Sequence, residues 1–125
     1  MRVYLAAGVA GVNALAEKGA VSAPAFAVSA AMRRAEPTVD EDDLEYEAAL
    51  LAEEVQRAAG ERVVVIAADV LDATEPAEDG AVEIASVPRS RVVSLHVAED
   101  GADEDEELLW FDVTELDQVR AYLEG

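Results

Sequence analysis

The fold is decided by the stretch Arg62-Val63-Val64-Val65-Ile66-Ala67-Ala68-Asp69-Val70, an apolar run between one cation and one acid. In an extended strand, successive side chains point to opposite faces, and in this stretch both faces are apolar. Strands that are covered on both sides have this pattern, whereas strands with one solvated face alternate apolar and polar residues. Residues 62–70 are therefore predicted to form the central strand of a sheet.

The composition of the chain limits its partners. Its 125 residues include 28 Asp and Glu against 9 Lys and Arg, a formal net charge of −19. Because phosphate contacts need clustered basic side chains, this charge disfavours direct binding of nucleic acids and of anionic membranes. Basic protein partners remain compatible with it. The absence of cysteine excludes disulfides, thiolate metal sites and cysteine nucleophiles, and it fits a cytoplasmic protein.

Periodic segments on either side of the central strand predict a single acidic α+β domain over residues 1–125. Further strands are expected at residues 2–6, 81–87 and 92–97. Residues 25–29 are a short candidate strand whose alanines also suit a helix, and residues 108–111 are a short strand or a helix start. Helices are expected at residues 8–18, at 39–59 and from residue 116 onward. The first half alternates strands and helices, as α/β proteins do, so parallel pairing is predicted there. The expected architecture is a single mixed sheet of about five strands packed with three helices.

The long helix predicted at residues 39–59 has the clearest signals. Thr38 and Glu41 have the spacing of a capping box, and further acids crowd the first turn, where carboxylates favour the helix dipole. Its apolar stripe is expected to consist of Leu44, Ala48, Leu51, Val55 and Ala58. Gly60 is a natural C-terminal stop.

Six blocks follow one another along the chain: Met1-Arg2-Val3-Tyr4-Leu5, Ala25-Phe26-Ala27-Val28, Leu44-Glu45-Tyr46 with Ala48-Ala49, Arg62-Val63-Val64-Val65 with Ala67-Ala68-Asp69, Val92-Val93-Ser94-Leu95-His96-Val97, and Glu107-Leu108-Leu109-Trp110-Phe111 with Glu115-Leu116. In order and spacing, this set resembles an uncharacterised family of short acidic proteins from actinobacteria. The resemblance covers nearly the whole chain and implies a bacterial, cytoplasmic protein. It implies no known activity, so no catalytic residue is carried over.

His96, the only imidazole in the chain, and Asp69 are the candidates for catalysis. Ser94 precedes His96 by two residues on the same strand face, and Asp69 ends the central strand, where open α/β sheets place their ligands. Hydrolysis needs a nucleophile, a base and a carboxylate that converge in space, and the sequence has no nucleophile-elbow motif. The favoured interpretation is a histidine packed on a sheet face. The alternative is a hydrolase or other small-ligand enzyme that uses His96 with nearby carboxylates. A pocket that contains His96, Asp69 and at least one of Glu45, Tyr46 or Arg2 would support it.

The acidic segment at residues 99–107 contains seven carboxylates but lacks the spacing of a calcium-binding loop. The sequence also contains no dinucleotide-binding, P-loop or zinc-protease motif. Neither a metal nor a cofactor is therefore predicted, and residues 99–107 are interpreted as a solvated connector.

Five side chains are candidates for binding: Arg2, Tyr4, Glu45, Tyr46 and Trp110. Interfaces are enriched in aromatic residues and arginine at the edges of apolar stripes. The preferred prediction is a non-enzymatic association module that binds a second copy of itself or a basic protein partner. A third interpretation is mimicry of nucleic acid by the negative surface, which requires the acids to lie on one face.

Overall fold

A computed structural model, which describes residues 1–71, 73–103 and 105–125, shows a large sheet with helices on both faces. In chain order the elements are β1 (Arg2–Ala6), α1 (Gly8–Lys18), β2 (Ala20–Val21), β3 (Ala25–Phe26), α2 (Ala30–Ala35), α3 (Glu41–Ala58), β4 (Val64–Asp69), β5 (Ala81–Val82), β6 (Val87–Pro88), β7 (Val92–Val97), β8 (Leu109–Asp112) and α4 (Leu116–Glu124). Short 3-10 turns precede β7 and α4. The predicted α+β class is confirmed.

Strand β4 lies at the centre of the sheet, as its apolar sequence predicts. The order of the six strands is β5-β3-β1-β4-β7-β8, and β2 pairs with β6 in a separate two-stranded sheet. Residues 64–68 of β4 are at most 1% exposed. Both faces of this strand are therefore covered.

The two faces of the sheet are covered unequally. Helices α1 and α4 contact each other and pack on one face, whose core includes Leu5, Leu15, Ile66, Leu95 and Leu116. On the opposite face, α3 packs chiefly on β1 and also contacts β3 and β4. Small residues such as Ala48 and Ala52 let the helix lie close to these strands. The part of this face formed by β7 and β8 extends beyond α3.

The parallel pairing predicted for the first half is wrong, because every ladder between the described strands is antiparallel. After α1, residues 20–24 lead the chain back to the end of β1, where the Ala6 N–H donates to the Pro24 carbonyl over 2.8 Å. Strand β3 therefore starts beside the end of β1 and runs the opposite way. Residues 108–111 are expected from the sequence to form a short strand or to start a helix. They form a strand, β8, and the sheet therefore has six strands.

The described part of the chain forms four α-helices, one more than predicted. The additional helix, α2, follows Ser29, whose hydroxyl accepts from the Met32 N–H over 3.1 Å, in a segment to which the sequence assigned no element. The capping box predicted for α3 is wrong. Asp40 is the N-cap residue, and the Glu41 carboxylate instead pairs with Arg33 over 2.6 Å.

The buried stripe of α3 departs from the prediction after its second turn. Leu44 and Ala48 are buried as expected, but the stripe continues through Ala52 and Gln56, while Val55 is exposed. A buried glutamine is invisible to a search for apolar periodicity. The predicted stop holds, because the chain turns through Gly60 with a φ of 72° directly after the helix.

Gln56 joins the end of α3 to the start of β4 and is 2% exposed. Its Oε1 accepts from the Val64 N–H over 2.9 Å, and its Nε2 donates to the Ala52 carbonyl over 3.0 Å. Because leucine would leave the buried Val64 N–H without a partner, we expect Gln56→Leu to lower the free energy of unfolding by about 1–3 kcal/mol. Urea denaturation measures the loss.

The control is the same change at Gln118, which is exposed on α4. Gln118→Leu should stay within about 0.5 kcal/mol of the parent protein. Equal losses in the two variants would contradict the role given to Gln56.

Candidate functional site

A groove runs along the side of α3, where the sheet extends beyond the helix. Its volume is about 740 Å³. One wall is α3, the other is formed by residues 105–108, and the floor is formed by Tyr4, Val65 and His96. We call this cavity the α3 groove.

Strand register explains why residues far apart in sequence meet on this face. Directly paired residues of antiparallel strands point to the same side of a sheet. Val65 pairs with His96, and His96 pairs with Trp110, so these three form one cross-strand row. Tyr4 belongs to the neighbouring row, which runs from Phe26 through Tyr4 and Ala67 to Ser94. The face that α3 only partly covers therefore carries both aromatic binding candidates of the sheet.

Two acids of α3 line the groove below its mouth, Glu45 and Glu53. Glu53 is paired with Arg57 over 3.0 Å. The Oε2 atom of Glu45, in contrast, is buried and has no hydrogen-bond partner within the described ranges.

Burial raises the pKa of the Glu45 carboxyl; the Tyr4 hydroxyl beside it lowers this pKa, Glu41 raises it, and Arg2 and Arg33 lower it. An ionised Glu45 therefore carries a charge that its surroundings compensate incompletely.

The nearest cations are already paired. Arg2 donates to Asp69 from Nε over 2.6 Å and from its terminal nitrogen over 3.1 Å. Arg33 is held by Glu41, as described above. Among the described residues that line the α3 groove there is no lysine and no arginine. No described lining residue of the groove therefore forms an ion pair with Glu45.

Tyr4 supplies a neutral phenol to the floor. Burial raises the pKa of the Tyr4 hydroxyl, and the charge of Glu45 raises it further. Tyr4 therefore keeps its proton at neutral pH and presents an aromatic ring and a hydrogen-bond donor.

Two acidic runs that are distant in sequence meet at the mouth of the groove. Asp42 comes from the first turn of α3, while Asp105, Glu106 and Glu107 come from the connector before β8. The sequence interpretation treated the first run as a helix start and the second as a solvated connector. The structure places them on opposite walls of one cavity, so the mouth is strongly negative.

His96 and Ser94 form a hydrogen-bonded pair beneath this mouth. Ser94 Oγ lies 2.9 Å from His96 Nε2, and Ser94 is 3% exposed. Burial, and then the charge of Arg2, lowers the pKa of His96, so the ring is neutral at neutral pH. In the part of the chain that the structure describes, no carboxylate is hydrogen-bonded to this ring. The two side chains are close enough for His96 to act as a base toward the Ser94 hydroxyl. Because Ser94 is buried, a substrate has little access to that hydroxyl.

The remaining candidates lie around the groove. Tyr46 lines its α3 wall and is 63% exposed. Trp110 lies beside His96 on β8 and is 61% exposed. Asp69 lies outside the groove in the forked ion pair with Arg2, which lowers the pKa of the Asp69 carboxyl. The groove therefore brings His96 together with Glu45 and Tyr46 but not with Asp69.

Across residues 1–71, 73–103 and 105–125, no three His, Asp or Glu side chains converge so that they could hold a metal ion. Within these ranges no helix combines the length and apolar character needed to cross a bilayer.

The neutral state of His96 can be measured directly because the chain has one histidine. We expect its ring protons to titrate in NMR spectra with a midpoint below 6.5, the ordinary value, because burial disfavours the imidazolium. Since the folded pKa is the lower one, the free energy of unfolding should fall as pH drops through 6.5 toward that midpoint. A midpoint at or above 6.5 would mean that the ring is solvated or paired with an acid. The unfolded chain in urea is the reference.

Comparison with known proteins identifies a family without a function. The model of DUF6912, a family of unknown function, matches residues 1–105, which include α3 and the floor of the groove. No curated protein and no solved structure matches the chain. The resemblance to an uncharacterised family is thereby confirmed, while the actinobacterial origin stays a prediction. Since the match covers most of its length, the chain belongs to the family of unknown function DUF6912.

Proposed function

We propose that this protein is a non-enzymatic binding module that takes a basic side chain of a protein partner into the α3 groove. The observation that carries the proposal is the buried Glu45 Oε2 without a hydrogen-bond partner among the described residues. A buried acceptor without a partner costs free energy, and an ammonium or guanidinium group would supply the missing donor. The bound cation would also neutralise a charge that burial disfavours.

The walls of the groove suit the rest of a basic side chain. Leu50 lines the α3 wall and Leu108 lines the opposite wall, while Tyr4 forms part of the floor. The aliphatic stems of lysine and arginine pack on apolar surface while the charged end reaches a polar partner. The Tyr4 ring adds an aromatic surface that attracts cations.

Charge favours a basic partner over a second copy of this chain. Each copy carries a formal net charge of −19, so two copies repel each other, whereas a basic protein is attracted. The acids on both walls concentrate this field at the groove mouth. If the partner binds nucleic acid, the same acids act as a nucleic-acid mimic, and competition with duplex DNA for that partner tests this form of the proposal.

The test uses a short, acetylated and amidated peptide of alternating lysine and valine, with binding measured by calorimetry at low salt. We expect Glu45→Gln to weaken binding at least about tenfold, because the amide removes the buried negative charge. The matched control is Glu54→Gln, which removes the same charge from an exposed position on α3. It should weaken binding less than about threefold.

Folding of the variant is checked by its melting temperature. Burial raises the folded pKa of Glu45 above its ordinary value of 4.5, so the ionised form lowers stability above that pH. Glu45→Gln should therefore melt no lower than the parent protein at neutral pH. Equal loss of binding in the two variants, or no binding of the peptide to the parent, would contradict the proposal.

A hydrolase is the second candidate, because Ser94 Oγ lies 2.9 Å from His96 Nε2. A serine activated in this way reacts with fluorophosphonates, and substitution of the base stops the reaction. As Ser94 is buried, we expect the probe to leave it unlabelled, as judged by mass spectrometry. Labelling at Ser94 that disappears in His96→Ala would favour the hydrolase over the binding module.

A further inference from the structure

We infer that the open edge of β8 accepts an extended, basic segment of the partner as an additional strand of the sheet. This inference rests on the proposed function, since it states how the same basic partner is held. The edge of β8 would bind the backbone of the partner, whereas the α3 groove would bind one of its side chains.

The backbone of β8 has an unpaired side. It is the last strand of the sheet and pairs with β7 alone. The Asp112 N–H does not face β7, because it donates to the Glu115 carboxylate over 2.9 Å. In an antiparallel ladder the bonding direction alternates along the strand, so Trp110, two residues earlier, also directs its N–H and C=O away from β7. Apart from the β7 ladder, no described residue bonds to the Trp110 backbone.

The opposite edge of the sheet, strand β5, has fewer free backbone groups for a further strand. Strand β5 consists of two residues, and the Ala77 N–H already donates to the Ala81 carbonyl over 2.9 Å. Strand β8 is therefore the better acceptor for a further strand, as in other complexes formed by strand addition.

The exposed side chain of Trp110 provides a contact surface for a strand that pairs with β8. It is 61% exposed on the same face as the α3 groove. A strand added to β8 would place alternate side chains beside the indole, where lysine and arginine form cation–π contacts. Large aromatic side chains in such positions contribute strongly to protein interfaces.

Charge identifies the occupant as basic. Glu106 and Glu107 precede β8, and Asp112 ends it. Pairing of two copies through β8 would bring these acids together along one shared edge, where their like charges repel. Charged residues on the edge strands of natural proteins prevent edge-to-edge pairing in this way. A segment with alternating basic residues is complementary instead. Leu108 lies both in the groove wall and directly before β8, so one segment can reach both sites.

The experiment compares three forms of the lysine–valine peptide: the parent, one with N-methyl groups on the lysine nitrogens, and one with N-methyl groups on the valine nitrogens. In an added strand, backbone N–H groups of one residue type face β8 and those of the other face solvent. We expect one methylated peptide to bind at least about tenfold more weakly and the other to stay within about threefold of the parent.

Fluorescence of Trp110, the only tryptophan, reports the same event without any change to the protein. We expect its emission to shift to shorter wavelength with the parent peptide and with the tolerated methylated peptide. If both methylated peptides bind like the parent, or both are weakened alike, the strand addition is overturned while binding in the α3 groove stands. If the parent peptide does not bind, the proposed function fails and the strand addition fails with it.

Discussion

The packing of one long helix on a six-stranded sheet is the constraint from which the site follows. A helix with its side chains is about 10 Å wide, whereas six strands spaced at about 4.8 Å span about 24 Å. Two helices, α1 and α4, cover one face, but on the other face α3 leaves the β7 and β8 part open. The α3 groove is the space that remains, and the connector before β8 supplies its second wall.

The same constraint explains the unusual electrostatics of the groove. Glu45 lies on the flank of α3 that faces the open part of the sheet, close enough to be buried but without a cation of its own. His96 and Tyr4 are neutral for the same reason, since burial disfavours the charged form of each. Polar groups that reduce the stability of the free protein are typical of sites that gain their partners from a ligand.

Local signals in the sequence predicted the elements better than their arrangement. The apolar faces of β4 predicted a central strand, and Gly60 marked the end of α3, because both depend on residues near in sequence. Antiparallel pairing was missed because the turn that follows α1 has no distinct sequence signal. The buried Gln56 was missed because its polar side chain interrupts the apolar periodicity. All five binding candidates were named from residue type, but the meeting of Tyr4, Glu45 and His96 depends on strand register, which the sequence alone does not specify.

The most direct measurement is the titration of the Glu45 carboxyl carbon by NMR, in the free protein and with the lysine–valine peptide. If the groove holds a buried, incompletely compensated carboxylate, its pKa lies above the ordinary value of 4.5 in the free protein and falls when the peptide binds. A value at or below 4.5 in the free protein would show that Glu45 is solvated or already paired, and it would contradict a groove built to receive a cation.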